Sequence, residues 1–173
     1  MENAPEHDLG RALSIDAEAV GQPGQRRFRL LIRSTNDTAY VWMEKQQLAG
    51  IGDWFDATLE RIDREHPNNG PDVEPLPISG IATIDFTAGQ LGLGYLDDED
   101  LFTLHAFDIE RGAEGEPAMR CRLTRGQCRV LAKKIASVVA AGRPICPLCE
   151  MPMEPEGHVC PRSNGHFAGA SIT

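Results

Sequence analysis

The sequence lacks any apolar run long enough to cross a membrane. Its 173 residues contain no stretch near the ~18 apolar residues that a bilayer-spanning helix needs. Residues 1–13 are polar and acidic, unlike the basic and apolar start of a secretory signal peptide. We therefore expect a cytoplasmic protein with reduced cysteines and no membrane contact.

Catalytic signatures are also absent. The sequence has no G-x-x-x-x-G-K phosphate loop, no G-x-S-x-G nucleophile turn and no H-E-x-x-H helix. We assign no catalytic residue and favour a binding protein, with an enzyme of unknown reaction as the alternative. The remaining candidates have structural explanations: acidic residues 97–100 fit a solvated turn, His105 fits a strand, and Cys121 and Cys128 fit small buried side chains.

Cysteine is scarce outside one segment. Three of the five cysteines and two of the five histidines fall between Cys146 and His166. Cys146 and Cys149 form a C-x2-C pair, in which a tight turn aims both sulfurs at one ion. His158 and Cys160 stand two residues apart, which places both on one face of an extended segment. Because zinc takes four ligands in a tetrahedron and favours sulfur and imidazole, we predict a structural zinc site.

The predicted ligands are three cysteines and one histidine. Cys146, Cys149 and Cys160 supply the sulfurs, His158 is the preferred fourth ligand, and His166 is the alternative through a C-x5-H loop. Such a set leaves no open position, so a catalytic zinc is disfavoured. A redox C-x2-C pair is disfavoured as well, because the prolines at 147, 152 and 155 exclude the long helix that such motifs open.

Aromatic residues are few, at 6%, but the apolar fraction of 41% suits an ordinary soluble domain. Alternation predicts strands at residues 14–20, 26–34, 39–44, 80–87, 91–96, 101–109 and 118–123. Three- and four-residue spacing predicts helices at 46–65 and 124–141, the second with a capping box, Thr124-x-x-Gln127. We expect an α+β fold: an antiparallel sheet from two strand-strand-strand-helix halves, helices on one face, and a small C-terminal zinc knuckle.

The predicted organisation has three parts. Residues 1–12 are expected to be disordered. Residues 13–143 are expected to form the α+β domain, with halves at 13–66 and 78–143. Residues 144–173 form the zinc-binding tail.

Positive charge is scarce in the first two thirds of the chain. Residues 1–118 carry 9 Lys and Arg against 23 Asp and Glu, a net −14, whereas residues 119–173 carry 8 against 3, a net +5. Arg125, Arg129 and Lys133 recur every four residues and so line one helix face, and Arg143 and Arg162 flank the metal segment. We predict that this C-terminal third binds a protein partner. Single-stranded nucleic acid is the alternative, disfavoured because the acidic body would repel a polyanion.

Three motifs carry a resemblance to a known family. They are Gly21-x-Pro23-Gly24-x-Arg26-x-Phe28, then Glu44-Lys45-x-Gln47, then the tail Arg143-Pro144-x-Cys146-Pro147-x-Cys149…Gly157-His158-x-Cys160-Pro161-Arg162-x-Asn164-Gly165. The chain resembles an uncharacterised bacterial family, number 3090 in the domain-of-unknown-function series, over nearly its whole length. The resemblance implies a small cytoplasmic bacterial protein with a zinc-ribbon-like tail and no established activity. Glu150 departs from the knuckle pattern, in which glycine commonly follows the second cysteine.

Overall fold

The computed structural model describes residues 4–22, 24–67, 70–112, 114–141, 146–151, 153 and 158–162. Its elements are β1 (His7–Arg11), β2 (Ser14–Val20), β3 (Arg27–Arg33), β4 (Thr38–Met43), α1 (Lys45–Glu65), β5 (Ile84–Leu96), β6 (Leu101–Asp108), β7 (Met119–Leu123) and α2 (Arg125–Ala141). The predicted α+β fold with two strand-strand-strand-helix halves is confirmed. Within these ranges neither helix is long and apolar enough to cross a bilayer.

The sheet is mixed rather than purely antiparallel, which corrects the sequence-based prediction. Its seven strands lie in the order β1-β7-β6-β5-β4-β3-β2. Two contacts are parallel, β1 with β7 and β4 with β5, and the other four are antiparallel. Both parallel contacts join one half of the chain to the other. Turn signals report only neighbouring strands, so they could not predict these pairings.

The two ends of the sheet meet in one bent strand. Only Ala12 and Leu13 separate β1 from β2. The Ala12 N–H donates to Arg122 O of β7 at 2.9 Å, and the Leu13 N–H donates to Arg33 O of β3 at 2.8 Å. These consecutive N–H groups reach strands of different halves, so β7 and β3 both border the bend. The N-terminal segment therefore takes part in both halves of the fold.

The expectation of disorder over residues 1–12 is wrong for residues 7–11, which form β1. Leu9 is buried, and the Glu6 N–H donates to Pro117 O at 2.9 Å. Asp8 and Arg120 form an ion pair across the β1–β7 contact. This polar, acidic segment is held by backbone hydrogen bonds to residues more than 100 positions away. Its composition alone does not predict a strand. The domain therefore begins before residue 13, while its predicted end at residue 143 stays a prediction.

Strand β5 is one long strand where the sequence predicted two. It runs from Ile84 to Leu96 through an irregularity between Ala88 and Gln90. A Cβ at Gly89 would stand 3.0 Å from Ile109 Cα, so the close approach there requires glycine. The irregularity marks a change of pairing partner along β5. Residues before it pair with β4, and residues after it pair with β6.

Both helices pack on the same face of the sheet and share one core. Helix α1 buries the stripe that its spacing predicted, and α2 buries the start of its own: Leu48, Ile51, Phe55, Leu59 and Ile62, then Cys128, Leu131 and Ile135. The helices approach closely at Gly52, where a Cβ would meet Ile135 Cγ2 at 2.9 Å. Burial of one such large apolar side chain contributes about 1.5–3 kcal/mol. This core joins the two halves.

The two helices begin in the same way. Gln47 Oε1 accepts the N–H of Glu44 at 2.8 Å, and Gln127 Oε1 accepts the N–H of Thr124 at 2.9 Å. Each glutamine thus satisfies a backbone donor at the helix start. The shared cap supports the interpretation of the two halves as one structural pattern used twice.

Candidate metal centre

The first part of the predicted metal segment folds as a tight turn. Residues 147–149 form the turn, the Glu150 N–H donates to Cys146 O at 2.9 Å, and the Cys146 N–H donates to Met151 O at 2.9 Å. The chain reverses here and brings both sulfurs to one side. Glu150 has a φ of 59°, in the left-handed region that glycine tolerates best. The knuckle therefore forms with glutamate in the glycine position, at a cost of about 1–2 kcal/mol.

Four side chains converge in the tail: Cys146, Cys149, His158 and Cys160. One ligand atom from each lies within 4.8 Å of the other three. Cys146 Sγ and Cys160 Sγ are 3.8 Å apart, and Cys149 Sγ and His158 Nε2 are 3.3 Å apart. The thiols are free rather than joined in a disulfide. The four side chains named from their spacing are close enough to bind one metal ion.

The centre is partly shielded from water. Cys146 and Cys160 are buried, and Cys149 and His158 are half-buried. The backbone N–H groups of Cys149 and Leu148 donate to the Cys146 sulfur and lower the pKa of that thiol. Bonds of this kind stabilise the thiolate, which is the form that binds metal.

Arg162 connects the two parts of the centre, because its Nη1 donates to Leu148 O at 3.3 Å. Two other predicted residues, Arg143 and the alternative ligand His166, lie outside the described residues. Among the histidines that the structure describes, His158 is the one within reach of the three tail thiols.

The basic stripe predicted on α2 is not an open surface, which corrects part of the predicted binding surface. Arg125 is buried, at 6% exposure. Its Nε donates to Asp100 Oδ1 at 2.6 Å, and its Nη1 donates to His66 O at 3.0 Å and lies 3.4 Å from Asp63 Oδ1. The bond to Asp100 raises the pKa of Arg125. This arginine fastens α2 to the β5–β6 turn and to the end of α1.

The other two residues of the stripe are matched by carboxylates. Arg129 Nη1 donates to Asp72 Oδ1 at 2.6 Å, and Lys133 Nζ donates to Asp72 Oδ2 at 3.4 Å. Arg129 Nη2 also lies 3.7 Å from Asp63 Oδ2. The four-residue spacing correctly places the cations on one helix face. It does not predict that Asp63 of α1 and Asp72 of the following segment pair with them.

The remaining candidates hold structural positions. Acidic residues 97–100 form the β5–β6 turn. Burial alone would raise the pKa of Asp100, but hydrogen bonds from Arg125 and Tyr95 lower it. Cys121 and Cys128 are buried as predicted, and burial raises the pKa of Cys121 to about 12. His105 is half-buried on β6.

Three apolar residues close to the metal ligands in the chain are exposed, which was not predicted from the sequence. Leu148, Met151 and Val159 are 54%, 53% and 95% exposed. The available signal was the presence of large apolar residues in a short segment with no helix or strand to bury them. Large apolar side chains without a core remain exposed to water unless another molecule covers them.

The sequence profile of a family described as "Protein of unknown function (DUF3090)" matches residues 7–160. The matched range begins at the first residue of β1 and ends at Cys160, so it includes the whole fold and all four side chains of the centre. No curated protein and no solved structure matches the chain.

Proposed function

The chain belongs to the DUF3090 family, and we propose that it is a non-enzymatic zinc protein that serves as a binding or adaptor module for a protein partner. One observation carries the proposal. The ligating cluster buries two of its sulfurs, yet the turns that hold them expose Leu148, Met151 and Val159. A metal-held turn with an apolar outer surface is suited to contact another protein.

The donor set and its spacing favour zinc. In a tetrahedral zinc site with bonds of about 2.3 Å to sulfur, two sulfurs lie about 3.8 Å apart, and a sulfur and an imidazole nitrogen lie about 3.5 Å apart. The Cys146–Cys160 and Cys149–His158 distances are 3.8 Å and 3.3 Å. Magnesium and calcium take oxygen ligands instead, so they do not suit this set.

Three thiolates and an imidazole complete the coordination of the ion, which favours a structural role over catalysis. The tail is short and has almost no apolar interior of its own. Segments of this size commonly need a metal or a disulfide to fold. We therefore expect zinc binding and tail folding to be coupled, so that removal of the metal also removes the apolar surface.

The apolar surface favours a protein partner. Val159 lies between the ligands His158 and Cys160, so a bound ion fixes its position on both sides. A side chain held in place loses less conformational entropy on binding than a mobile one. The fully buried centres of protein interfaces are enriched in apolar contacts, which Leu148, Met151 and Val159 can supply.

The charge layout disfavours the nucleic-acid alternative on this third of the chain. Phosphate-backbone binding needs several cations that are free to release counterions. Arg125, Arg129 and Lys133 instead bind carboxylates of the same chain. Arg162 remains at the centre as an exposed cation beside Leu148, where it suits an acidic residue at the rim of a protein interface.

The test compares two exposed aliphatic residues. Val159 and Ile81 are 95% and 96% exposed, but Ile81 lies outside the tail. Tagged wild type, Val159→Asp, Ile81→Asp and the ligand variant Cys149→Ala would be purified gently from the source cells, and co-purifying proteins would be quantified by mass spectrometry. We expect one partner to be lost in Val159→Asp and in Cys149→Ala and to be retained in Ile81→Asp. Equal recovery of the same proteins by Val159→Asp and wild type would refute the proposal, and so would recovery of no partner by wild type.

A further inference from the structure

Four side chains stack in a column on the face of the sheet away from the helices. The Arg29 guanidinium carbon lies 4.2 Å from the Tyr40 ring centroid and 4.8 Å from that of Trp42, and the Arg27 guanidinium carbon lies 4.3 Å from that of Trp42. The order of this arginine–aromatic column is therefore Tyr40, Arg29, Trp42, Arg27. Strand alternation places all four on one face, since Phe28, Leu30 and Val41 point into the core.

The two arginines of the column differ. Arg29 is half-buried and forms an ion pair with Glu18, which matches its charge. Arg27 is exposed and, among the residues that the structure describes, has no carboxylate partner. Trp42 is fixed by a bond from its Nε1 to Asp85 Oδ1 at 2.9 Å. One face of the Arg27 guanidinium therefore stacks on Trp42, which is held by Asp85. The opposite face is available for a ligand ring at this end of the column.

The open end borders a cavity of about 490 Å³, which lies within the range of small-molecule sites. The cavity is also lined by the acidic residues Asp85, Asp108 and Glu110, by Thr87, and by the apolar residues Phe86 and Ile109. The Glu110 N–H donates to Asp108 Oδ1 at 2.9 Å, which holds these two residues together. The cavity therefore combines one flat cation with several hydrogen-bond acceptors.

We propose that this cavity binds a guanine-type nucleobase. Nucleobases stack on guanidinium planes, so the ring extends the column beyond Arg27. Guanine carries two adjacent donors, N1–H and the N2 amino group, which match the two oxygens of one carboxylate of Asp108 or Glu110. Adenine offers one amino group beside ring nitrogens that are acceptors, and these nitrogens would face the carboxylates without a proton between them.

The charge of the cavity selects an uncharged form of the ligand. Three carboxylates against one guanidinium give the lining a formal charge of −2 (+1 − 3). A phosphate group would be repelled by this charge. The expected ligand is therefore the free base or nucleoside rather than the nucleotide or a nucleic-acid strand.

The test uses the two tryptophan indole N–H signals in ¹⁵N–¹H NMR spectra of the full chain. Trp42 borders the cavity, whereas Trp54 packs edge-on against Phe55 and Phe102, with ring centroids 5.7 and 6.0 Å away, and serves as the internal reference. Trp42→Phe assigns the signals. We expect guanosine to shift the Trp42 signal in a saturable way while the Trp54 signal stays in place. Adenosine should bind at least about fivefold more weakly because it lacks the paired donors for a carboxylate. Guanosine 5′-monophosphate should bind more weakly by a similar factor because the acidic lining repels its phosphate.

Two neutral variants test the acceptors. Asp108→Asn and Glu110→Gln keep the size of the side chain and remove its charge, so at least one should weaken guanosine binding about tenfold. Glu60→Gln, an exposed change on α1, is the matched control and should have no effect. Cys149→Ala should leave binding intact, which separates this site from the metal centre. Equal responses to guanosine and adenosine, undiminished binding in both neutral variants, or no shift of the Trp42 signal would overturn the proposal.

Discussion

Gln47 and Gln127 make the same two contacts in the two halves of the fold. Each accepts a backbone N–H at the start of its helix, and each donates its side-chain amide to backbone carbonyls of the other half, at the irregularity of β5 for Gln47 and between β1 and β2 for Gln127. Gln47 Nε2 donates to Ala88 O and Gly89 O at 3.3 and 3.2 Å, and Gln127 Nε2 donates to Ala12 O at 2.8 Å. The two glutamines therefore fasten the halves to each other at equivalent points.

The first prediction concerns these glutamines. Gln127 is buried, so its replacement leaves the Ala12 carbonyl and the Thr124 N–H without their partner. We expect Gln127→Ala to lower the free energy of unfolding by about 1–3 kcal/mol, and Gln47→Ala to lower it less because water reaches its contacts. Gln127→Glu keeps the acceptor and loses the donor, so it should also destabilise. Urea unfolding measures all three; equal stability of Gln127→Ala and wild type would contradict the role given to Gln127.

The second prediction concerns the buried Arg125. Removal of its side chain takes away the cation that pairs with both Asp100 and Asp63. We expect Arg125→Ala to reduce stability by about 1.5–3 kcal/mol, the range for hydrogen bonds to charged groups, because Asp100 is half exposed and Asp63 keeps Arg129 as a partner. Arg129→Ala, at a more exposed pair, should cost less than about 1 kcal/mol and is the control. Equal effects of the two variants in urea unfolding would show that Arg125 is not the central contact.

A pH dependence follows from Asp100. Its pKa in the folded chain is lowered by Arg125 and Tyr95, below the usual value of 3.8. The unfolded chain therefore binds this proton more readily, so the stabilisation is fully present above the usual value and is lost as the pH falls through the lowered pKa. Asp100→Asn should flatten the loss of stability between about pH 5 and pH 2. An unchanged slope in acid would contradict this assignment.

The strained knuckle gives a further prediction. Glu150 occupies the left-handed region, and glycine at this position removes the strain that a Cβ imposes. Glu150→Gly should stabilise the metal-bound tail by about 1 kcal/mol, a roughly fivefold gain in zinc affinity. Glu150→Ala keeps a Cβ and should give no such gain. Competition with a chromogenic chelator measures both affinities, and a gain shared by alanine would mean that the glutamate charge, rather than the backbone, is responsible.

The sequence predicted the features that depend on local pattern. The stripe of α1, the cap Thr124-x-x-Gln127 and the shared turn of Cys146 and Cys149 follow from residue spacing, because turns and helices fix the neighbours of such residues. The convergence of Cys160 with that turn was inferred from the four ligands that zinc requires. Features that depend on distant partners were missed. The pairing of β1 with β7 and the burial of Arg125 among carboxylates from α1 and the β5–β6 turn depend on how the halves meet, which no local period encodes.

The proposed zinc ion bound by Cys146, Cys149, His158 and Cys160 can be observed by X-ray absorption at the zinc edge, on protein purified without added metal. We expect about one zinc per chain, with three sulfurs at about 2.3 Å and one imidazole nitrogen at about 2.0–2.1 Å, and loss of that nitrogen in His158→Ala but not in His166→Ala. Absence of zinc, an oxygen ligand in an open position, or an unchanged nitrogen shell in His158→Ala would contradict it.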